Sequence, residues 1–192
     1  MTERTHDLAG LTALTLAFLI YMPTQISLVT LVFIGIANQI GTAFPDLDQP
    51  TAEFYREIPA VSFLGHLLSP LFGTHRHISH SILGMALYGW LIHLLLKYLS
   101  TIILIDMNLV WWSFMLGFFS HLVMDTLTKN GVPWLFPLPI KFGFPPFRFM
   151  RISTGTFMEK VGVYTALLGL NLYLIYINYA KFLEFFSNRI VR

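Results

Sequence analysis

The sequence has no cysteine and few charged residues, and both scarcities limit what the protein can be. Because none of its 192 residues is cysteine, disulfides and thiolate metal ligands are excluded. Charged residues make up 11% of the chain and hydrophobic residues 55%, whereas a typical soluble domain has about 25% charged residues. This composition favours a membrane protein. The net charge of +2, without a long basic run, excludes the electrostatic footprint of a nucleic-acid-binding protein.

Long apolar runs predict several membrane-spanning helices. Each is near the roughly 20 residues that a helix needs to cross the hydrocarbon core, and the runs occupy 8–22, 26–44, 78–96, 108–127 and 161–180. A stretch from Val61 to Phe72 is too short to span, so we expect a short interfacial or re-entrant helix there. The proline-rich segment 128–160 predicts a long ordered loop, with Trp134 and several phenylalanines at headgroup depth. We therefore expect one all-α membrane domain over 1–192, a polytopic bundle of about five transmembrane helices.

Residues that could bind a metal stand at the ends of these runs. If every run crosses the bilayer, alternate ends meet at one membrane face. That face receives His6 before the first run, Asp46 and Asp48 after the second, His75, Arg76, His77 and His80 before the third, His121 and Asp125 at the end of the fourth, and Glu159 before the fifth. Charged and imidazole groups at membrane depth are costly, so this gathering favours a shared functional site.

The pair of His121 and Asp125 shows why the chemistry points to metal. The two residues are four apart in a predicted helix, so they share one face and can hold one ion together. Asp46 and Asp48 add hard oxygen donors from one turn, and such donors with imidazoles suit Zn²⁺, Mn²⁺ or Fe²⁺. Arg76 could hold a phosphate or carboxylate oxygen through two hydrogen bonds.

Each of these features also has a purely structural explanation. Asp46 and Asp48 could be turn residues that cap a helix, and His121 with Asp125 could be a buried hydrogen-bonded couple. His77 fits neither pattern, and our interpretation is a role in supporting a ligand or in binding substrate. The occurrence of all these groups on one face favours the metal site, because the separate structural explanations would all have to hold at once, which is improbable.

Three motifs resemble those of a known family. The segments PDLDQP (45–50), HRHISHS (75–81) and GFFSHLVMDTLTKNGVPWLFP (117–137) are similar to motifs of the YdjM-like, LexA-regulated, membrane-bound metal-dependent hydrolases. The resemblance implies a metal site formed by His6, Asp46, Asp48, His75, His80, His121, Asp125 and Glu159, with Arg76 as a site residue of unspecified role. A more distant resemblance connects this site to the clustered zinc of the zinc-dependent phospholipase C and single-strand nuclease superfamily.

The sequence departs from the family pattern at two positions. His77 stands where the family usually has glycine, and Ser79 stands where it usually has threonine. The imidazole of His77 could add a ligand or alter the substrate, whereas Ser79 is a mild change.

These observations predict a membrane-bound hydrolase with two or three divalent ions, Zn²⁺ first and Mn²⁺ or Fe²⁺ as alternatives. A phosphoester in a lipid or lipid-linked substrate fits best, because phosphate oxygens can bridge two cations and the bilayer delivers such a substrate. Asp48 or Asp125 is the expected general base, and Arg76 and His77 are the expected substrate contacts.

Two other classes of function remain open. A non-catalytic metal-binding membrane regulator needs one structural ion whose coordination sphere is filled by protein ligands. Eight possible ligands exceed what one such ion needs. A metal-ion transporter would hold its ligands near the middle of the bilayer, not at the ends of spans. Of the 12 basic residues, eight fall on the site face and four on the other, so the positive-inside rule predicts a cytoplasmic site.

Overall fold

The computed structural model describes residues 1–48 and 78–191, and this part of the chain is mostly helical. Its α-helices are α1 Glu3–Ile20, α2 Leu28–Ala43, α3 Ile82–Leu99, α4 Met107–Thr126, α5 Tyr164–Ile177 and α6 Tyr179–Asn188. Two 3-10 turns cover Phe44–Asp48 and Arg148–Met150, and a π-helical turn, Met158–Val163, leads into α5. The short strands β1 Ile26–Ser27 and β2 Ile190–Val191 pair in parallel. The prediction of an all-α bundle is confirmed.

Four helical segments of the described residues are long and apolar enough to cross a membrane: Leu28–Asp46, Ile82–Leu99, Met107–Thr126 and Met158–Ile177. A helix of this length measures about 30 Å, which matches the hydrocarbon core. The helix α1 is 18 residues long and packs against α2, α4 and α5. It contains Glu3, Arg4 and Asp7 and is not one of the four, so the predicted count of five is approximate.

The close approach of α2 to α4 depends on two glycines. A Cβ atom added to Gly41 would lie 2.1 Å from the backbone oxygen of Phe114, and one added to Gly117 would lie 2.2 Å from that of Asn38. Small residues at helix interfaces let backbones approach in this way in membranes. The hydroxyl of Ser113 also donates to the backbone oxygen of Ile34 at 2.7 Å, which holds the two helices together further from the site.

Some boundaries and placements differ from those that the sequence predicts. The run 161–180 is interrupted at Asn178, whose side-chain amide donates to the backbone oxygen of Leu174, and the separate helix α6 follows. Trp134 is half-buried, and its indole N–H donates to Thr126 Oγ1 at 2.9 Å, whereas its predicted headgroup depth stays a prediction. The predicted short helix at Val61–Phe72 lies outside the described residues.

Candidate metal centre

Five of the predicted site residues come together at one end of the bundle. His6 lies in the first turns of α1, Asp46 in the 3-10 turn after α2, His80 just before α3, and His121 with Asp125 at the end of α4. One donor atom from each of His6, Asp46 and His121 lies within 4.8 Å of the others, and the same holds for His80, His121 and Asp125. The side chain of Asp46 is 30% exposed, whereas the other four are buried.

Two imidazoles face two carboxylates at distances that suit a shared ion. His80 Nε2 lies 3.4 Å from Asp46 Oδ1 and 3.7 Å from Asp125 Oδ2. His121 Nε2 lies 3.8 and 3.9 Å from the same two oxygens. Ligands bound at about 2.0–2.2 Å to a tetrahedral ion lie roughly 3.3–3.6 Å from one another. Most of these separations are too long for hydrogen bonds and are close to the spacing of two ligands on one ion. The residues form two groups of three possible ligands, because His80 and Asp125 group with His121, whereas Asp46 groups with His121 and His6.

A hydrogen bond across the bundle fixes the orientation of His121. Its Nδ1 atom lies 2.6 Å from the backbone oxygen of Thr42, which can only accept, so Nδ1 carries the proton. The lone pair of Nε2 therefore points toward Asp46 and Asp125. This atom is buried and has no hydrogen-bond partner among the described residues. Metal-binding histidines usually donate their second ring nitrogen to a carbonyl or carboxylate in this way.

The second imidazole is positioned by the turn that precedes α3. The Nδ1 atom of His80 lies 3.0 Å from the hydroxyl of its neighbour Ser79, and both side chains are buried. The next residue, Ser81, caps α3 by accepting from the backbone N–H of Gly84 at 3.0 Å. A Cβ atom at Gly84 would lie 1.8 Å from the backbone oxygen of Ile78, so this turn can fold tightly over the helix and bring His80 inward.

The other oxygen of Asp125 faces a different set of groups. Asp125 Oδ1 lies 3.3 Å from His6 Nε2 and contacts the α-amino group of Met1, which is itself 3.0 Å from His6 Nε2. The rings of His6 and His121 stack with centroids 3.7 Å apart. A positively charged nitrogen is thus accommodated between His6 and Asp125. The two carboxylate oxygens of Asp125 therefore face two neighbouring sets of nitrogen atoms: Oδ2 faces His80 and His121, and Oδ1 faces His6 and Met1.

The burial of His6 favours the neutral form of the imidazole, which is the form that binds metal. Burial lowers the pKa of its imidazole below the ordinary value, and the hydrogen bond that the imidazole donates to Asp125 offsets this only in part. The following residue, Asp7, accepts a hydrogen bond of 3.0 Å from the hydroxyl of Thr42. Thr42 therefore connects the start of α1 to His121, because its hydroxyl donates to Asp7 and its backbone oxygen orients the imidazole.

Glu159 reaches the same end of the bundle but has other partners. One carboxylate oxygen accepts from the backbone N–H and the hydroxyl of Thr2, the latter at 2.8 Å. The other accepts from the backbone N–H of Gly155 at 2.6 Å. Glu159 belongs to neither group of possible ligands among the described residues. Its carboxylate instead ties the start of α1 to the start of the α5 segment, and direct binding of metal by Glu159 stays a prediction.

Several predicted site residues fall outside the described part of the chain. His75, Arg76 and His77 lie in the segment 49–77, and the side chain of Asp48 is likewise not described. Their predicted roles as ligands and substrate contacts stay predictions.

The sequence-based prediction missed the residues that support the imidazoles. Thr42 is four residues before Asp46, and Thr2 is four residues before His6, so helical spacing places each near a predicted ligand. Ser79 is noticeable only as a departure from the family pattern. Thr42 acts through its backbone oxygen, which no side-chain pattern indicates.

Together, the apolar helices and the buried cluster of histidines and aspartates define a helical membrane protein with a possible divalent-metal site. The chain belongs to the YdjM inner membrane protein family, which matches residues 1–183. It is 29% identical over 182 residues to "Uncharacterized protein YvsG" of Bacillus subtilis (strain 168), a match that covers 95% of this chain and 97% of that protein. No solved structure matches the chain. The predicted resemblance to the YdjM family is confirmed, whereas metal-dependent hydrolase activity and the link to the phospholipase C superfamily stay predictions.

Proposed function

We propose that this protein is a membrane-bound metal-dependent hydrolase of a phosphoester in a lipid or lipid-linked substrate. The observation that supports this most strongly is the arrangement of His80, His121, Asp46 and Asp125, whose donor atoms face one another at 3.4–3.9 Å. A divalent ion held there, with zinc the first expectation, supplies Lewis-acid chemistry that polarises a phosphoryl oxygen and makes water more acidic.

The two oxygens of Asp125 support a centre of more than one ion. Oδ2 faces His80 and His121, whereas Oδ1 faces His6 and the α-amino group of Met1, so this carboxylate could hold a second ion only if that amino group moved aside. One imidazole nitrogen binds one ion, and His121 is common to both groups of possible ligands. A second or third ion therefore needs further donors, and Asp48 and His75 are those that the sequence predicts.

The remaining residues of the proposed site have distinct tasks. Asp48 or Asp125, whichever is not fully occupied by metal, would accept a proton during hydrolysis. Asp46 is the partly exposed member of the described cluster, so substrate would approach from its side. Arg76 is the proposed clamp on the phosphate and His77 a further substrate contact.

The position of the site along the helices favours a lipid substrate. Asp46 is the last residue of one candidate span, and Asp125 is the residue before the end of another. Span ends lie at the depth of lipid headgroups, where the phosphate of a lipid or lipid-linked molecule is found. A transporter would hold its ligands near the middle of the spans.

A non-catalytic metal-binding regulator is the second candidate, and the burial of the cluster is the observation that favours it. Structural metal sites are closed, whereas catalytic sites keep a position open for water or substrate. The side chains of His6, His80, His121 and Asp125 are no more than 2% exposed. Only a measurement of activity separates the two candidates.

The test combines metal analysis with a hydrolysis screen on the purified full-length protein. We expect more than one equivalent of transition metal and release of phosphate or a phosphorylated headgroup from phospholipids or lipid-linked phosphates. Asp125→Asn should lose both metal and activity. Glu184→Ala is the control, because Glu184 is exposed on α6 and pairs only with Arg189 among the described residues.

The outcomes of this test separate the candidates. Full metal content without hydrolysis of any lipid phosphate would favour the regulator. Protein that binds no transition metal, even when the metal is supplied during purification, would contradict both candidates.

A further inference from the structure

We propose that the loop between α4 and α5 forms a surface that binds anionic lipid headgroups beside the mouth of the metal centre. This basic aromatic surface consists of Lys129, Lys141, Arg148, Phe144, Phe147 and Phe149. The inference is independent of the hydrolase proposal, because it concerns the lipid that surrounds the site and not the reaction.

The first observation is the composition of the loop. Residues 126–158 include four basic residues and no aspartate or glutamate. The guanidinium of Arg151 is used within the loop, where it donates to the backbone oxygens of Pro145 and Pro146 at 2.7 and 2.9 Å. Lys129, Lys141 and Arg148 are exposed and form no ion pair with a described residue. Their uncompensated charge complements an anionic lipid surface.

The second observation is the exposure of large aromatic side chains beside these cations. Phe144, Phe147 and Phe149 are 63%, 61% and 81% exposed, and the rings of Phe147 and Phe149 contact each other with centroids 5.9 Å apart. Exposed apolar clusters of this kind mark surfaces that interact with a partner or a membrane. Aromatic and basic residues together are typical of the membrane–water interface.

The third observation is that the loop is fixed next to the site. Phe144 N donates to the backbone oxygen of Thr126 at 2.8 Å, and Lys129 N donates to that of Ile152 at 3.0 Å. Both contacts lie within a few residues of Asp125. The loop also joins two candidate spans, so it lies at the membrane face where both of them end. Its exposed aromatic rings therefore face the lipid interface beside the cluster.

Because the chain contains no cysteine, a single introduced cysteine can report the surroundings of one position. Phe149→Cys and Asn130→Cys are each labelled with an environment-sensitive fluorophore. Asn130 is the matched control, because it is exposed in the same loop but polar. Each full-length protein is placed in vesicles of phosphatidylcholine alone or of phosphatidylcholine mixed with phosphatidylglycerol, and quenching by aqueous iodide is measured.

The label at position 149 should be quenched several-fold less than the label at 130, with stronger protection in the phosphatidylglycerol vesicles. Adding Lys141→Gln and Arg148→Gln should remove the difference between the two lipids while the protein stays monodisperse. Equal quenching at 149 and 130, or protection that ignores lipid charge, would overturn the proposal. Protection that rises with the protein-to-lipid ratio would instead assign the surface to a second copy of the chain and also overturn it.

Discussion

The Nδ1 atom of His121 lies 2.6 Å from the backbone oxygen of Thr42, and this bond joins the candidate metal centre to the packing of α2 against α4. Thr42 follows Gly41, the residue at which the two backbones approach most directly. The orientation of the imidazole therefore depends on how closely the helices pack, not only on the residues that face the site.

Gly41→Ala should disturb both the fold and the site. The added methyl group would lie 2.1 Å from the backbone oxygen of Phe114, so the helices must separate. Overpacking of this kind typically costs about 1–3 kcal/mol of stability. We expect a lower midpoint of thermal unfolding in detergent and a lower metal content. Gly35→Ala is the control in the same helix, because among the described residues no atom outside the adjacent helix backbone lies within 4 Å of its added methyl group. If both variants behave like the original protein, this close packing does not position the site.

Ser79→Ala should weaken metal binding without removing any ligand. The hydroxyl of Ser79 lies 3.0 Å from His80 Nδ1 and fixes the direction of the ring. Loss of such a supporting group typically lowers metal affinity roughly 10- to 100-fold. Ser79→Thr keeps the hydroxyl and should retain affinity near that of the original protein. Competition with a chelator of known affinity measures the effect, and equal affinities for the alanine and threonine variants would contradict this role.

The convergence of the site could be predicted from the sequence to a large extent. Counting spans places His6, Asp46 and His80 at one face, and helical spacing joins His121 to Asp125. The α1 helix packs beside α2 and brings His6 close to Asp46, although α1 is not among the four described segments that are apolar enough to cross a membrane. The structure brings these side chains together as that reasoning expects, whereas metal binding itself stays a prediction.

The supporting contacts could not be predicted in the same way. The partner of His121 is a backbone oxygen, and every residue has one, so no residue type marks Thr42. The hydrogen bond from the indole N–H of Trp134 to Thr126 is likewise not indicated by any sequence pattern. Such contacts depend on the three-dimensional path of a long loop, which local sequence does not specify.

The orientation of the protein can be tested through two exposed positions. The cytoplasmic location of the candidate site stays a prediction, and it rests on the eight basic residues assigned to the site face against four on the other. Asn188 ends α6 near the β1–β2 pair, at the opposite end. In intact cells, an impermeant thiol reagent should label Asn188→Cys and not Asn130→Cys. The reverse pattern would place the centre on the outer face.

Glu159 provides the last prediction, because two roles for it have different consequences. If its carboxylate is a ligand, Glu159→Ala removes an ion, and excess metal does not restore the original stoichiometry. If it acts through Thr2, as its hydrogen bonds indicate, the variant loosens the start of α1 and displaces His6. Removing a buried acceptor of this kind costs about 1–3 kcal/mol.

We expect the second result for Glu159→Ala. Its metal affinity should fall, while saturating metal should restore the same number of ions per chain. Thr2→Ala should reproduce part of the loss, because it removes the hydroxyl contact of 2.8 Å but leaves the backbone N–H. Glu184→Ala, on the exposed surface of α6, should change neither quantity. Metal titration with elemental analysis decides between the roles: an ion that stays missing at saturation would make Glu159 a direct ligand, and unchanged affinity would show that the contact with Thr2 does not support the site.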